Sequence, residues 1–205
     1  MAFRSLFPTL LQQTPLENDT LLSDLEASVW MIEAGDTAGH DWCEREGYPG
    51  YTSYASLDDL PIRAPAFAAL VERLDAEAID FAAEAAWDLA GFALTLDGLW
   101  INILGPGGQH SGHIHPGSVI SGTIYIAMPE GAGRLKVEDP RLAAMMAAPQ
   151  PVDDAPEARR RFIYLAPKPG DILMWESWLR HEVMPHGGGD PRISISFNYA
   201  LTPQA

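Results

Sequence analysis

Arg192-Ile193-Ser194-Ile195-Ser196-Phe197-Asn198-Tyr199 alternates polar and apolar residues without a break. Strand side chains point to opposite faces with period two, so Arg192, Ser194, Ser196 and Asn198 share one face and Ile193, Ile195, Phe197 and Tyr199 the other. Such a strand needs two different neighbours. If the polar face lines a pocket, the apolar face requires a cover. Leu99-Trp100-Ile101-Asn102-Ile103 divides the same way, with Trp100 and Asn102 opposite the aliphatics. Together the two segments predict a β-barrel with a polar interior, backed on one sheet by helices.

The cover lies upstream. From Pro65 to Leu89 the apolar residues Phe67, Leu70, Val71, Leu74, Ala78, Phe81 and Ala85 follow three-and-four spacing, which predicts an amphipathic helix begun by Pro65 and stopped by Gly91. Leu21, Leu22, Leu25, Val29 and Ile32 predict another over Asn18–Ala34, capped by Asn18 or Asp19. Phe3–Leu11 reads as a short strand. Gly35–Pro61 carries Trp42, Tyr48, Tyr51 and Tyr54 with no period and is expected to be an irregular loop, a candidate substrate loop. After Gly91 the pattern changes to about eight strands, at 92–96, 99–104, 119–128, 135–138, 161–165, 172–175, 181–184 and 192–201. Pro140–Arg160, rich in Pro, Ala and Asp, reads as a surface insertion. The expected class is α+β, mainly β, as one domain over 1–205, with helical support and loop at 1–91 and the β core at 92–205.

Composition narrows the function. A net charge of −15 repels phosphate backbones and anionic lipid, so neither nucleic acid nor a membrane is an expected partner. No apolar run is long enough to span a bilayer, and Pro8 with Gln12-Gln13 interrupts any signal-like core. The single cysteine, Cys43, excludes an internal disulfide and a cysteine-based zinc site, and fits a reducing compartment, the cytoplasm.

The chemistry concentrates at His113-Ile114-His115-Pro116-Gly117-Ser118. On extended backbone a His-x-His pair sends both imidazoles to one face, where they can meet one metal. His181 follows 68 residues later and is the expected third ligand. Three neutral imidazoles suit Fe, Zn, Cu, Ni or Mn and leave positions open for substrate and oxygen. His110 reads as a gate or outer hydrogen-bond donor, and His186 as a turn residue. Arg192, inside a serine and aliphatic strand, must find an anion or reach solvent. It meets either a bound dicarboxylate, with Ser194 adding a hydrogen bond, or an acid of the protein itself.

Trp100-x-Asn102, His113-x-His115-Pro116-x-Ser118, Ser121-Gly122-x-x-Tyr125, Asp139-Pro140-Arg141, Pro169-Gly170-Asp171, Ser177-Trp178-Leu179-Arg180-His181-x-Val183-x-Pro185 and Arg192–Asn198 together resemble a largely uncharacterised bacterial group of Fe(II)/2-oxoglutarate-dependent oxygenases. The resemblance covers about Trp100 to Asn198. It implies a double-stranded β-helix (a jelly-roll or cupin-like barrel) in which His113 and His181 bind iron and Arg192 holds the distal carboxylate of 2-oxoglutarate. The spacing of 11 from His181 to Arg192 agrees with that superfamily. One position departs from the wider pattern, since the residue two after the first histidine is usually Asp or Glu and here is His115.

The leading expectation is therefore a non-haem dioxygenase, a hydroxylase using Fe(II), 2-oxoglutarate and O2 on a substrate the sequence does not identify. Its metal ligands would be His113, His115 and His181. Arg192, Ser194, Tyr125 and Asn102 would contact the cosubstrate, while Trp100, Trp175 and His110 would line the substrate pocket. A small-molecule substrate and a homodimer are the partners considered. The alternatives are a cupin-like three-histidine enzyme that does not use 2-oxoglutarate, and a non-enzymatic barrel that binds a small acid or a partner protein.

Overall fold

The structure, a computed structural model, describes residues 1–204. In chain order it runs through β1 (Leu11–Pro15), α1 (Asp19–Gly35), α2 (Thr37–Glu46), β2 (Gly50–Thr52), α3 (Leu60–Arg63) and α4 (Pro65–Glu84). The β-rich part follows as β3 (Phe92–Leu104), β4 (His110–His113), β5 (Ile120–Ala127), β6 (Leu135–Glu138), α5 (Ala143–Ala147), β7 (Phe162–Leu165), β8 (Asp171–Glu176), β9 (His181–Val183) and β10 (Arg192–Pro203). The larger sheet has the order β1-β8-β5-β10-β3-β2, the smaller β4-β9-β6-β7, and every pairing is antiparallel. From β3 to β10 the chain crosses between the sheets at each step except β6 to β7. That alternation is the double-stranded β-helix.

The predicted two-faced strands set the layers. Ile193, Ile195, Phe197 and Tyr199 of β10 join Ile101, Ile103, Ile120, Ile124, Ile172 and Met174 in one core with Leu25 and Val29 of α1 and Phe67, Leu70 and Leu74 of α4. Each such fully buried side chain contributes roughly 1.5–3 kcal/mol. The opposite faces of β5 and β8 supply Tyr125, Leu173 and Trp175 to a second cluster with Leu135, Val137 and Val183 of the smaller sheet. Strand β10 lies between β3 and β5, so Ser194 has Asn102 on one side and Tyr125 on the other.

Several expectations are corrected. The barrel is not closed: β1 and β2 add to the two edges of the larger sheet and extend it sideways. Phe3–Leu11 is not a strand, because pairing with β8 begins at Leu11, and Phe3, Leu6 and Phe7 stay exposed. Gly35–Pro61 is not an irregular loop but α2, β2 and most of a turn into α3. Asp36 caps α2 by accepting from Gly39 N at 2.9 Å, and Gly47, at φ 64, ends it in the left-handed region. Helix α4 stops at Glu84, before the expected Gly91, because Ala86 turns to φ 54 and Trp87 N donates back to Ala82 O at 3.0 Å. The two short strands expected at 92–96 and 99–104 are one strand, with an irregularity opposite Asn198/Tyr199. Asn18 does cap α1, accepting from Leu21 N.

Candidate active site

Strand β4, which the sequence pattern did not reveal, decides where the histidines meet. His113 at its end pairs in register with His181 at the start of β9. Their rings lie 4.4 Å apart between centroids, and His115 lies 5.0 Å from His113 and 5.1 Å from His181. One ligand nitrogen from each falls within 4.8 Å of the other two. Ile114 between them points outward and is exposed. His115 N donates to Ser177 O at 3.0 Å, which fixes the turn that brings its ring back to the other two.

The tautomers are prepared for a metal. His113 Nδ1 faces Ser111 O at 2.7 Å and His181 Nδ1 faces Leu179 O at 2.8 Å. A carbonyl only accepts, so each Nδ1 carries its proton and each Nε2 presents a lone pair. Burial, then the charge of His113, holds the His115 pKa down at about 4. Burial holds His181 down at about 3, against the Leu179 hydrogen bond that favours its proton. Both rings are therefore neutral near pH 7.

Behind the histidines lies an inner chamber lined by Tyr125, Trp175, Arg192 and Ser194, with Trp100 and His110 at its mouth. Arg192 is 1% exposed. Its Nη1 donates to Ser194 Oγ at 3.2 Å, and its guanidinium lies 5.1 Å from the centroid of the Tyr125 ring. Among the described residues no carboxylate pairs with it, so the anion it requires is not one of the protein's own acids. Burial pushes its pKa down from the arginine value and pushes the Tyr125 hydroxyl up to about 12.

Five buried side-chain polar atoms among the described residues have no hydrogen-bond partner, and four of them, His115 Nε2, Arg192 Nε, Tyr125 OH and Trp175 Nε1, belong to residues of this chamber. A buried polar atom left unpaired costs about 1–3 kcal/mol, so such a concentration marks a place built for a ligand. The donor set suits a metal on three imidazoles and an oxygen-rich anion on a guanidinium, two hydroxyls and an indole N–H. Iron and 2-oxoglutarate both fit.

A sequence profile described as "Putative 2OG-Fe(II) oxygenase" matches residues 98–198, which contain all of these residues. Over that stretch the chain matches the 2-oxoglutarate–Fe(II) oxygenases, enzymes whose cofactors are Fe(II) and 2-oxoglutarate. No curated protein matches it. Among solved structures it resembles a Pseudomonas putida prolyl-4-hydroxylase at 16% identity, covering 94% of this chain and 92% of that one with a TM-score of 0.64. It resembles the epimerase SnoN, in complex with Fe3+, alpha ketoglutarate and nogalamycin RO, at 12% identity, covering 96% and 82% with a TM-score of 0.63. The carbocyclase SnoK from nogalamycin biosynthesis gives 10% identity, 96% and 82% coverage and a TM-score of 0.64. At such identities the likeness concerns the fold alone.

The residues singled out from the sequence separate into two groups. His113, His115, His181, Arg192, Ser194, Tyr125 and Trp175 gather around the inner chamber, and Trp100 and His110 stand between it and an outer cavity of about 700 Å3. Asn102 lines that outer cavity instead of the inner chamber. Its Oδ1 accepts from Tyr48 and Thr52 and its Nδ2 donates to Ser196, so its side chain braces these neighbours. His186 is buried in its own loop, where its Nε2 meets Asp190 O at 2.7 Å. His110 meets the Tyr48 hydroxyl at 2.6 Å, and burial, then the charge of Arg192, holds its pKa down at about 4. Tyr48, of the candidate substrate loop, lines the outer cavity beside Thr52, which the sequence did not single out and which the pairing of β2 on the edge of β3 carries there. The aromatic content of their segment was the available signal.

Proposed function

We propose that this oxygenase hydroxylates a small molecule held in the outer cavity, with iron on His113, His115 and His181 and 2-oxoglutarate in the inner chamber. Arg192 would take its distal carboxylate through two parallel hydrogen bonds, aided by Ser194 and the Tyr125 hydroxyl. The observation that carries this reading is Arg192 itself, a buried guanidinium with no carboxylate of the described chain beside it. When bound, iron and 2-oxoglutarate supply the oxidation of a C–H bond by O2, with 2-oxoglutarate converted to succinate and CO2. The chain's own part is positioning and exclusion of water. The carbonyls of Ser111 and Leu179 hold two imidazoles in the metal-ready tautomer. Trp175, 3% exposed with its ring 4.7 Å from that of His181, closes the back of the chamber, and Trp100, stacked 6.0 Å from His115, separates it from the substrate cavity.

Three neutral ligands also suit a cupin-like enzyme in which the substrate itself meets the metal. The dianion of 2-oxoglutarate neutralises the full charge of such an iron site, and the unpaired Arg192 supports that assignment over the cupin-like one. We further treat residues 1–205 as one folding unit, on the core shared by α1, α4 and the larger sheet. No helix among the described residues is long and apolar enough to cross a membrane. The buried free thiol of Cys43 supports a cytoplasmic setting. The decisive assay measures succinate and CO2 released from 2-oxoglutarate by the Fe(II) protein under air. Iron-dependent release supports the proposal, and its absence at millimolar cosubstrate, with iron bound, replaces it with the cupin-like reading.

A further inference from the structure

The outer cavity has a charge pattern opposite to that of the inner chamber. Its wall carries the rings of Trp42, Tyr48, Tyr54 and Trp100. Tyr54 meets Trp100 edge-on at 5.3 Å between centroids and Trp42 meets Tyr48 at 6.3 Å, so the rings brace one another in two pairs. Asp58 and Asp97 are the charged groups on that wall, and no lysine or arginine contributes to it. Asp97 accepts from Ser118 Oγ at 3.2 Å, and the arginine nearest in sequence to Asp58, Arg63, is engaged by Asp59. Neither Asp58 nor Asp97 forms an ion pair among the described residues. Aromatic faces attract cations through their quadrupole, and carboxylates at the rim reinforce that attraction. An anion entering would meet two like charges, the negative faces of the rings, and a chain of net charge −15.

We propose that the outer cavity selects a substrate that carries a positively charged nitrogen, a protonated amine or a guanidinium, on an apolar body, and turns a carbon of that body toward the three histidines. This rests on the oxygenase reading above and names its substrate class. Its physical basis is a division of the site by charge. The one lysine or arginine side chain lining either space, Arg192, lies in the inner chamber, and both acids lie in the outer cavity. The dianionic cosubstrate is thereby drawn past the substrate position and not held in it, while a cationic substrate is kept from the Arg192 end.

The test compares three probes of one shape by titration calorimetry on the full chain held anaerobically with Fe(II) and saturating 2-oxoglutarate, so that Arg192 is already occupied: phenethylammonium, 2-phenylethanol and 3-phenylpropionate. Phenethylammonium should bind about tenfold or more tightly than 3-phenylpropionate, with the alcohol between them, and the preference should shrink as salt is raised. The double variant Asp58→Asn/Asp97→Asn, altered at exposed positions only, should bring the two charged probes within about twofold of each other without weakening the alcohol. Equal or tighter binding of the carboxylate, a preference that survives the double substitution, or no binding of any probe overturns the proposal. The oxygenase reading is checked separately by the charge-transfer absorption of the wild-type Fe(II) protein with 2-oxoglutarate. A missing band beside intact cation preference would sink that reading and leave the cation-selective cavity standing.

Discussion

The Arg192 guanidinium lies over the ring of Tyr125, 5.1 Å from its centroid, and the strands that carry the two residues are neighbours in the larger sheet. Its Nη1 donates to Ser194 Oγ, and its Nε has no partner among the described residues. Losing a bidentate charged contact in such a place costs about 2–5 kcal/mol, much of it from leaving the anion unpaired. Arg192→Ala should therefore weaken 2-oxoglutarate binding by far more than tenfold with iron content intact. Arg192→Lys should recover only part, since an ammonium lacks the fork. The charge-transfer band titrated with 2-oxoglutarate under anaerobic conditions measures both, and wild-type affinity in Arg192→Ala would remove the residue from the cosubstrate site.

The same buried charge carries a sign for stability. A guanidinium at 1% exposure without a carboxylate partner destabilises the unloaded protein. Arg192→Met, similar in volume and apolar, should raise the melting temperature of the metal-free protein and abolish the further rise that iron with 2-oxoglutarate gives the wild type. A lower melting temperature for Arg192→Met would mean that the charge is already compensated in the empty chamber.

The metal prediction separates His115 from its neighbours. Anaerobically reconstituted wild type should hold about one iron per chain. His113→Ala, His115→Ala and His181→Ala should each lose most of it, whereas His110→Ala and His186→Ala should keep it. Iron analysis after desalting decides the matter. Full iron in His115→Ala would leave a two-histidine site and return the third position to water or His110.

Tyr48 connects the N-terminal segment to the site through His110 and Asn102. Tyr48→Phe leaves the half-buried His110 Nε2 without its partner and should cost about 1 kcal/mol in denaturant unfolding. Iron content should not change, because none of the three ligand histidines touches Tyr48 through a hydrogen bond. A loss of iron in this variant would show that β2 helps position the ligands.

Alkaline stability tests the helix-to-sheet contact. Burial and then the hydrogen bond to Asp75, at 2.6 Å, push the Tyr199 hydroxyl far above its ordinary 10.0. The folded pKa is raised, so the contribution is fully present below pH 10 and is lost as pH rises above it, by at most about 1.4 kcal/mol per pH unit. Tyr199→Phe should be less stable than wild type at pH 8, and the difference should narrow above pH 10. Parallel curves for the two proteins across that range would contradict the assignment.

The local sequence determined a good part of this molecule. The unbroken alternation from Arg192 to Tyr199 already divides β10 into a pocket face and a core face, because a strand has no other way to orient its side chains. The three-and-four spacing of Phe67, Leu70 and Leu74 in turn supplies the helix that covers the core face. His113, His115 and His181 stood out as candidate ligands from residue type and spacing, and His113 and His181 also from the family pattern. The tertiary structure alone decided that His113 stands opposite His181, since pairing across 68 residues depends on the register of β4 on β9, and four residues of mixed polarity carry no strand signal of their own. It also decided that Arg192 lacks an acid, for an ion pair depends on which of 28 carboxylates the fold brings near, and among the described residues it brings none. It decided the surroundings of Asn102 for the same reason: its partners Tyr48 and Thr52 lie about 50 residues away in the chain and reach it only because β2 pairs with the edge of β3.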